Sequence, residues 1–234
     1  MLYFITFSAC SPTASKESAI VNDVANRPFC RTLNYTFSTN GEIITEHNYT
    51  WEGNIQTTTN IENIYNDRGY PIRMYNREDD DYIYESTYDY SCDAWCKLEH
   101  YTSAQGYEDQ EMSTSEYVYT WEGNTQSTAG GAVYWIYNDF GYPIESYESG
   151  SGYETQTWTE YECTPYWCKA QNHTYANSVN GVVSDEVYTE YIWEGNTLYW
   201  DNNYITYNEY GYILEQEVNF GNTTNFNTMT YNCD

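Results

Sequence analysis

A six-residue stretch, Tyr49-Thr50-Trp51-Glu52-Gly53-Asn54, decides the fold because two near-copies of it follow along the chain. The copies read Tyr119-Thr120-Trp121-Glu122-Gly123-Asn124 and Tyr191-Ile192-Trp193-Glu194-Gly195-Asn196. Trp121 lies 70 residues after Trp51, and Trp193 lies 72 residues after Trp121. Self-similarity at a nearly fixed spacing is the sequence signature of a repeat architecture. The chain of 234 residues is therefore predicted to hold three copies of one structural unit.

Two further markers accompany each copy and set the limits of the units. An eight-residue marker follows each tryptophan motif, as Tyr65-Asn66-Asp67-Arg68-Gly69-Tyr70-Pro71-Ile72, Tyr137-Asn138-Asp139-Phe140-Gly141-Tyr142-Pro143-Ile144 and Tyr207-Asn208-Glu209-Tyr210-Gly211-Tyr212-Ile213-Leu214. A cysteine followed by a basic residue opens each unit, as Cys30-Arg31, Cys96-Lys97 and Cys168-Lys169, and a second cysteine closes it. We therefore place the three units at residues 30–92, 96–163 and 168–233.

The spacing of side chains within a unit predicts strands. From Tyr82 to Tyr90, tyrosines occupy most alternate positions, and the positions between them are mostly polar or acidic. A period of two is typical of a β-strand with one aromatic face, on which tyrosines form cross-strand ladders. Glycines such as Gly41, Gly53 and Gly69 separate the strands at tight turns. We predict an all-β fold with about five antiparallel strands per unit, as an extended, β-solenoid-like meander of hairpins or as a closed ring.

The charge of the chain excludes several classes of partner. Lys and Arg total 8 against 35 Asp and Glu, which gives a net charge of −27. Such a chain lacks the basic surface that nucleic acids and anionic lipid headgroups require. We therefore expect no nucleic-acid partner and no membrane contact except through a lipid anchor. Aromatic residues make up 19% of the chain, and this content distinguishes it from disordered acidic chains.

The first ten residues form an apolar opening that ends in Ser8-Ala9-Cys10. An apolar run, small residues and then a cysteine resemble the end of a bacterial lipoprotein signal. The resemblance implies that Cys10 receives a lipid and that the chain is exported to the outer membrane, the cell surface or the extracellular space. Two features depart from that pattern, because no Lys or Arg precedes the run and Phe7 stands where Leu is usual. Residues 11–29, rich in Ser, Ala and Asn, are expected to form a flexible tether.

The six remaining cysteines are expected to form disulfides, because an even number in an exported chain is typical of them. They are Cys30, Cys92, Cys96, Cys163, Cys168 and Cys233. Two pairing schemes satisfy the threefold repeat. Either each disulfide joins the first and last cysteines of one unit, or each disulfide joins two neighbouring units. The ends of a flat five-strand meander lie roughly 19 Å apart, whereas a disulfide needs Cα atoms within about 7 Å. This favours bonds at the junctions, Cys92–Cys96 and Cys163–Cys168, with Cys30–Cys233 closing a ring.

The eight-residue markers resemble the YD repeats of Rhs-type proteins, whose hairpins carry Tyr-Asp-x-x-Gly. Asn66, Asn138 and Asn208 stand here at the position of that Asp, and no Arg follows the glycine. The likeness covers three segments of eight residues and implies a fold built from repeated hairpins. Rhs-type proteins form long spiralling shells around a cargo, and 234 residues are too few for such a shell.

Carboxylates are the main candidates for chemistry. Glu52, Glu122 and Glu194 each follow a tryptophan, and glycoside hydrolases use paired carboxylates beside a sugar. These residues recur identically in all three units, whereas an active site usually breaks the symmetry of a repeat. We therefore expect the chain not to be an enzyme, with a secreted glycoside hydrolase as the alternative.

One acidic run raises the question of calcium. Glu78-Asp79-Asp80-Asp81 concentrates four carboxylates, and calcium prefers oxygen ligands. The run lacks the spacing of a calcium-binding loop and is absent from the other two units, which favours a solvated turn. Calcium at this run is the alternative, and no other cofactor or metal is expected.

Two tryptophans stand in the short turns between units. Trp95 and Trp167 directly precede the cysteines that open the second and third units. Such a tryptophan either packs over the adjacent disulfide or stays exposed as a platform on which a sugar ring stacks. The leading interpretation is a non-enzymatic cell-surface or extracellular protein that serves in adhesion or as an envelope scaffold. The alternatives are a glycan-binding module with exposed Trp and Tyr, and a subunit of an extracellular filament or assembly joined through open sheet edges.

Overall fold

The computed structural model describes residues 27–77, 82–108, 110–128, 131–179 and 181–233. All regular elements in these ranges are β-strands, and every strand pairing is antiparallel. The predicted all-β fold of hairpins is thereby confirmed. Tyrosine ladders are also present, because Tyr88, Tyr101 and Tyr117 on three adjacent strands have ring centroids 5.1 and 5.7 Å apart.

Strands of similar length follow one another in the same order in each third of the chain. Residues 30–92 form β1 (Cys30–Thr39), β2 (Glu42–Asn48), β3 (Thr50–Glu52), β4 (Ile55–Thr57), β5 (Ile61–Tyr65), β6 (Pro71–Arg77) and β7 (Tyr82–Cys92). Residues 96–163 form β8 (Cys96–Tyr107), β9 (Ser113–Glu122), β10 (Thr125–Thr128), β11 (Val133–Tyr137), β12 (Pro143–Gly150) and β13 (Tyr153–Cys163). Residues 168–233 form β14 (Cys168–Val179), β15 (Val182–Glu190), β16 (Ile192–Glu194), β17 (Thr197–Trp200), β18 (Asn203–Tyr207), β19 (Ile213–Phe220) and β20 (Thr223–Cys233).

Each unit thus contains six strand positions instead of the expected five. The additional strand is the short one after each tryptophan motif (β4, β10 and β17), which has only three or four residues. So short a segment cannot show a clear alternation in sequence. In the first and third units the second strand is also interrupted for one residue, Tyr49 or Tyr191, so that β2 leads into β3 and β15 leads into β16.

The strands follow one another in a circle. Thirteen strands, from β3 to β15, form one sheet, and a second sheet of seven has the order β16-β17-β18-β19-β20-β1-β2. The last strand, β20, pairs with the first, β1, and places Cys30 opposite Cys233. The chain passes between the two sheets at Tyr49 and Tyr191, whose backbone N–H groups still donate hydrogen bonds of 2.9 Å to the carbonyls of Leu33 and Gln171.

The circular order of strands does not form one continuous sheet, because backbone pairing between neighbouring strands is interrupted once in each unit. The strand after each tryptophan motif is short, so it pairs with only the final part of the long strand that precedes it. These pairs are β4 with β3, β10 with residues 119–122 of β9, and β17 with β16. Within the described residues, the earlier parts of these long strands, 42–48, 113–118 and 182–190, pair on one side only.

Burial is concentrated at one end of the strands, which we call the inner end. It contains the cysteine junctions, the Trp-Glu-Gly-Asn turns and the Asn-containing turns of the eight-residue markers. The most buried apolar side chains are Cys30, Trp95, Cys96, Trp167, Cys168 and Leu198, and the most buried polar ones are Gln56, Asn63 and Gln126. The opposite, outer end consists of hairpin turns and the split edges, where large apolar side chains are exposed.

Candidate binding site where the three units meet

Three aromatic rings pack together at the inner end of each unit. The residue before the opening cysteine contacts the tryptophan of the Trp-Glu-Gly-Asn motif and the first tyrosine of the eight-residue marker. The three groups are Phe29 with Trp51 and Tyr65 (5.6 and 5.3 Å), Trp95 with Trp121 and Tyr137 (5.4 and 5.2 Å), and Trp167 with Trp193 and Tyr207 (5.8 and 5.1 Å between centroids). These groups bring the three sequence markers of a unit into one contact.

The tryptophan of each motif is fixed by a hydrogen bond as well as by packing. The indole N–H of Trp121 donates to the carbonyl of Leu98 at 2.8 Å, and Trp51 and Trp193 donate to Thr32 and Ala170 at 2.8 and 2.7 Å. A buried indole N–H needs such a partner, because leaving it unpaired costs about 1–3 kcal/mol. The recurrence of this tryptophan therefore has a structural cause.

The basic residue after each opening cysteine lies against the same rings. The Lys97 Nζ donates to the carbonyl of Gly123 at 2.6 Å and lies 5.3 Å from the Trp121 ring, and Lys169 makes the equivalent contacts with Gly195 and Trp193. Arg31 lies 5.9 Å from the ring of Trp51. Cation–π attraction and a carbonyl acceptor explain why a base follows each cysteine.

The asparagine of each eight-residue marker connects a turn to a disulfide. The side-chain oxygen of Asn138 accepts hydrogen bonds from the backbone N–H groups of Phe140 and Tyr142, both at 3.0 Å. Its amide nitrogen lies 3.8 and 3.7 Å from the sulfurs of Cys163 and Cys168. Asn66 and Asn208 make the equivalent contacts with the other two disulfides. An aspartate could accept the same turn hydrogen bonds but has no N–H to give to sulfur.

The glycine of the marker allows the turn to lie on the aromatic group. Gly141 has a φ of +81°, and a Cβ added to it would lie 2.7 Å from the ring of Trp95. A side chain would therefore meet both backbone strain and a steric clash. Gly69 and Gly211 approach Phe29 and Trp167 in the same way.

All three disulfides lie at the junctions of the units. The structure contains Cys92–Cys96, Cys163–Cys168 and Cys30–Cys233, with Cα atoms 4.0, 3.9 and 4.0 Å apart. The junction pairing is thereby confirmed, and the bond between the first and last strands closes the ring.

Trp95 and Trp167 are not exposed platforms. Only 7% and 3% of their surfaces are accessible, because the aromatic groups and the glycine turns cover them. Of the two alternatives that the sequence left open for these tryptophans, packing or a free face for a sugar ring, the free face is therefore wrong. The sequence signal that could have revealed this is the equivalent position in the first unit, Phe29, which shows that the position requires a large ring in every unit.

A cavity of about 300 Å³ lies where the inner ends of the three units meet. Tyr70, Tyr142 and Tyr212, which occupy the same position in the three markers, line it together. The remaining lining residues are Arg27, Arg68, Gly69, Ala94, Trp95, Phe140, Gly141 and Tyr166. The described lining includes two arginines and no Asp or Glu.

The repeat loses its symmetry at this cavity. Arg27 stands three residues before Cys30, where the other units have Asp93 and Pro165. Arg68 stands before the turn glycine, where the others have Phe140 and Tyr210. The cavity therefore combines a threefold tyrosine lining with two arginines that only one side supplies.

Arg27 contributes a positive charge to the cavity. Its guanidinium carbon lies 4.3 Å from the ring centroid of Tyr212, and its Nε is buried with no hydrogen-bond partner among the described residues. Burial raises the pKa of the Tyr142 hydroxyl, and the positive charge of Arg27 opposes part of that increase. Arg68 differs, because one of its terminal nitrogens donates to the carbonyl of Asp93.

A second concave surface surrounds Trp158, a residue that the sequence reading passed over. Trp158 is 37% exposed and lines a groove of about 630 Å³ with Tyr147, Gln156, Glu154 and Glu186. The other lining residues are Ala176, Asn177, Ser178, Gly181 and Val183. Thr87 and Thr228 occupy the position of Trp158 in the other units, five residues before the closing cysteine. A tryptophan where the other two units have threonine is the sequence signal that could have identified Trp158.

The other sequence candidates lie apart from these surfaces or outside the described residues. Glu52, Glu122 and Glu194 are exposed in their turns and do not line the cavity. Cys10, and the acidic run from Glu78 to Asp81, fall outside the described residues. In the part of the chain that is described, no cluster of three or more His, Cys, Asp or Glu is arranged for a metal ion. Nor do those residues include an apolar helix long enough to cross a bilayer.

Comparisons with known proteins do not assign a family. No protein-family model matches the chain, and no curated protein is similar to it. A crystal structure of a porin-like protein from Bacteroides uniformis is similar over 68% of this chain and 95% of that chain, with 11% identity and a TM-score of 0.32. A similarity of this size carries no argument about function.

Proposed function

We propose that this protein is a non-enzymatic scaffold or adhesin of the bacterial cell surface. The observation that carries the proposal is the ring closed by disulfides at all three junctions. Disulfides persist in oxidising compartments outside the cytosol, which supports export. Two sheets in a circular order of strands, with the first strand paired to the last, are suited to holding a fixed surface outside the cell.

The recurring residues support a structural role for the repeat. The tryptophan, base, asparagine and glycine of each unit all make packing contacts or hydrogen bonds at the inner end. Contacts that recur in all three units are those of a framework.

The split edges give this scaffold surfaces for partners. Val183 on β15 and Ile43 on β2 are 64% and 62% exposed beside unpaired backbone. Unpaired edges can add a strand from another chain. Glu42 and Glu46 on β2, and Asp185 and Glu186 on β15, place negative charge there, which opposes pairing between two copies. The edges therefore favour a partner strand with basic residues over self-assembly into filaments.

The test is to express the full chain in a bacterial host and to locate and weigh the product. We expect a diacylglyceryl mass on Cys10, the loss of six thiol protons, and labelling of intact cells by a membrane-impermeant reagent. A product with free thiols in the cytosol would contradict the proposal. Turnover of any substrate in a glycoside hydrolase panel would contradict its non-enzymatic part.

Glycan recognition is the second candidate function, and the Trp158 groove favours it. An exposed indole beside Tyr147 offers a face for a sugar ring, while Gln156 offers an amide for its hydroxyls. Glu154 and Glu186 also line the groove, so a neutral sugar suits it better than an acidic one.

Titration with neutral oligosaccharides tests this second function. We expect quenching of tryptophan fluorescence that Trp158→Ala abolishes. Tyr188→Ala is the matched control, because Tyr188 is exposed on β15 but does not line the groove. Unchanged quenching in Trp158→Ala would remove the groove as the glycan site.

A further inference from the structure

We infer that the cavity between the three units binds a small ring-shaped carboxylate, held by Arg27 and packed against the surrounding tyrosines. This assigns a ligand site and goes beyond the scaffold role. The shared chemistry is a carboxylate on a six-membered ring, and both sugar acids and aromatic acids supply it.

The charge of the cavity selects an anion. Arg27 and Arg68 line it, and none of its described lining residues is acidic, although the chain as a whole carries a net charge of −27. The chain has only 8 basic residues, so two arginines around one cavity are a local concentration of positive charge.

The unpaired Nε of Arg27 identifies the group that the ligand must carry. A buried N–H without an acceptor destabilises the folded state, and a charged donor does so more than a neutral one. An oxygen placed there restores the missing hydrogen bond. The planar guanidinium matches a carboxylate in a two-point contact, which makes this anion a suitable acceptor.

The rings of the cavity select a cyclic ligand. Tyr70, Tyr142 and Tyr212 come from all three units, and Phe140, Tyr166 and Trp95 add further aromatic surface. Aromatic faces pack on flat rings or sugar rings, and tyrosine hydroxyls can meet polar substituents. A volume of about 300 Å³ suits a single ring, since sites for larger drug-sized ligands reach about 1,000 Å³.

The broken symmetry supports a ligand that lies in one orientation. The aromatic groups and the asparagine turns recur in all three units, whereas the two arginines of the cavity do not. The arginines occur on one side only, so they can orient a ligand with one charged end and one apolar end.

The experiment is isothermal titration calorimetry of the full chain with four probes: glucuronate, glucuronamide, benzoate and benzamide. The amides are neutral counterparts of the two acids. About 0.15 M salt limits the repulsion by distant carboxylates, since the Debye length there is about 8 Å. We expect at least one acid to bind with a dissociation constant of about 1 mM or tighter, and its amide at least ~10-fold more weakly.

Variants show whether the heat comes from this cavity. Arg27→Gln is expected to weaken acid binding by ~10-fold or more, because it removes the charge and the planar fork. Arg68→Gln is a second test that does not depend on the folding of the first variant. Arg73→Gln is the matched control, because Arg73 pairs with Glu62 and Glu85 on β5 and β7, away from the cavity.

Each result supports or overturns the inference. Binding of glucuronate alone points to sugar acids, binding of benzoate alone points to aromatic acids, and binding of both supports the shared chemistry. Absence of heat with both acids, equal affinity for acid and amide, or loss of binding in Arg73→Gln to the same degree as in Arg27→Gln overturns it. All of these failures leave the export and scaffold role untouched, since that role is tested by location and mass.

Discussion

At the inner ends of the three units, apart from the two arginines of the cavity, equivalent side chains make equivalent contacts, whereas at the outer ends the exposed side chains differ from unit to unit. Trp51, Trp121 and Trp193 each donate a hydrogen bond to a backbone carbonyl and pack against two aromatic rings at equivalent positions. The split edges instead carry Ile43 and Ile44 in one unit and Val182 and Val183 in another. Positions that recur therefore build the ring, and positions that diverge are free to recognise partners.

The largest effect is expected when the ring is opened. Cys30 and Cys233 are separated by 203 residues, whereas Cys92 and Cys96 are separated by 4. If the bond acts by restricting the unfolded chain, replacing the first pair by alanine lowers the free energy of unfolding by about 5 kcal/mol, and replacing the second by about 2 kcal/mol. Urea unfolding of both double variants measures the difference. Equal losses would mean that the pairing of β1 with β20 keeps the ring closed without the Cys30–Cys233 disulfide.

The next largest effect is expected from the aromatic groups. Trp95→Ala removes a buried ring from the inner end and should cost about 3–5 kcal/mol. Trp158→Ala removes the same side chain from a position that is 37% exposed, and should cost at most about 1 kcal/mol. The midpoints of urea unfolding compare them. A similar cost for both would show that the inner end does not dominate stability.

A smaller effect is expected from the contact between asparagine and disulfide. Asn138→Asp keeps the acceptor of the turn but removes the donor that faces the sulfurs of Cys163 and Cys168. We expect a loss of about 1–2 kcal/mol, because the carboxylate oxygen that replaces the amide nitrogen is left partly buried against the sulfurs without a donor. Asn222→Asp, in an exposed outer turn, is the control and should change the free energy of unfolding by less than about 0.5 kcal/mol.

The smallest effect is expected at His100, on the surface. Hydrogen bonds to Glu116 and Asp89, at 2.8 and 3.3 Å, raise the pKa of the His100 imidazole above its usual 6.5. Because the folded-state pKa is the higher one, the added stability is complete below the unfolded pKa and is lost as pH rises through the folded value. Thermal unfolding at about pH 5.5 and about pH 8 should therefore show a pH-dependent component that His100→Gln removes. An unchanged pH profile in that variant would assign the dependence to other groups.

Much of the ring could be predicted from the sequence, because its contacts recur. The spacing of Trp51, Trp121 and Trp193 indicates three units, and the geometric limit on disulfides favours the pairing of Cys30 with Cys233. The short strand β4 could not be predicted, since three residues do not establish a period. The burial of Trp95 and Trp167 depends on contacts between markers that lie more than 25 residues apart. The alternation of side chains along a strand does not indicate contacts this distant in sequence.

The candidate site was harder to predict for the opposite reason. Arg27 lies within the stretch interpreted as a tether, and Arg68 differs from its counterparts inside a marker noted for its similarity. The cavity exists only when three distant turns converge, so no local pattern indicates it. The informative sequence signal is a residue that differs from its counterparts in the other units, such as Trp158 or Arg68.

The pairing of β1 with β20 also determines when the molecule can be completed. Phe37 aligns with Asn227 across this pair, so β1 can pair with β20 only after all the residues between them have been synthesised. Contacts this distant along the chain slow folding, because a large loop must close before they form. On the export route that we propose, one edge of β1 stays unpaired until β20 is available, and a chain that lacks β20 cannot complete this pair.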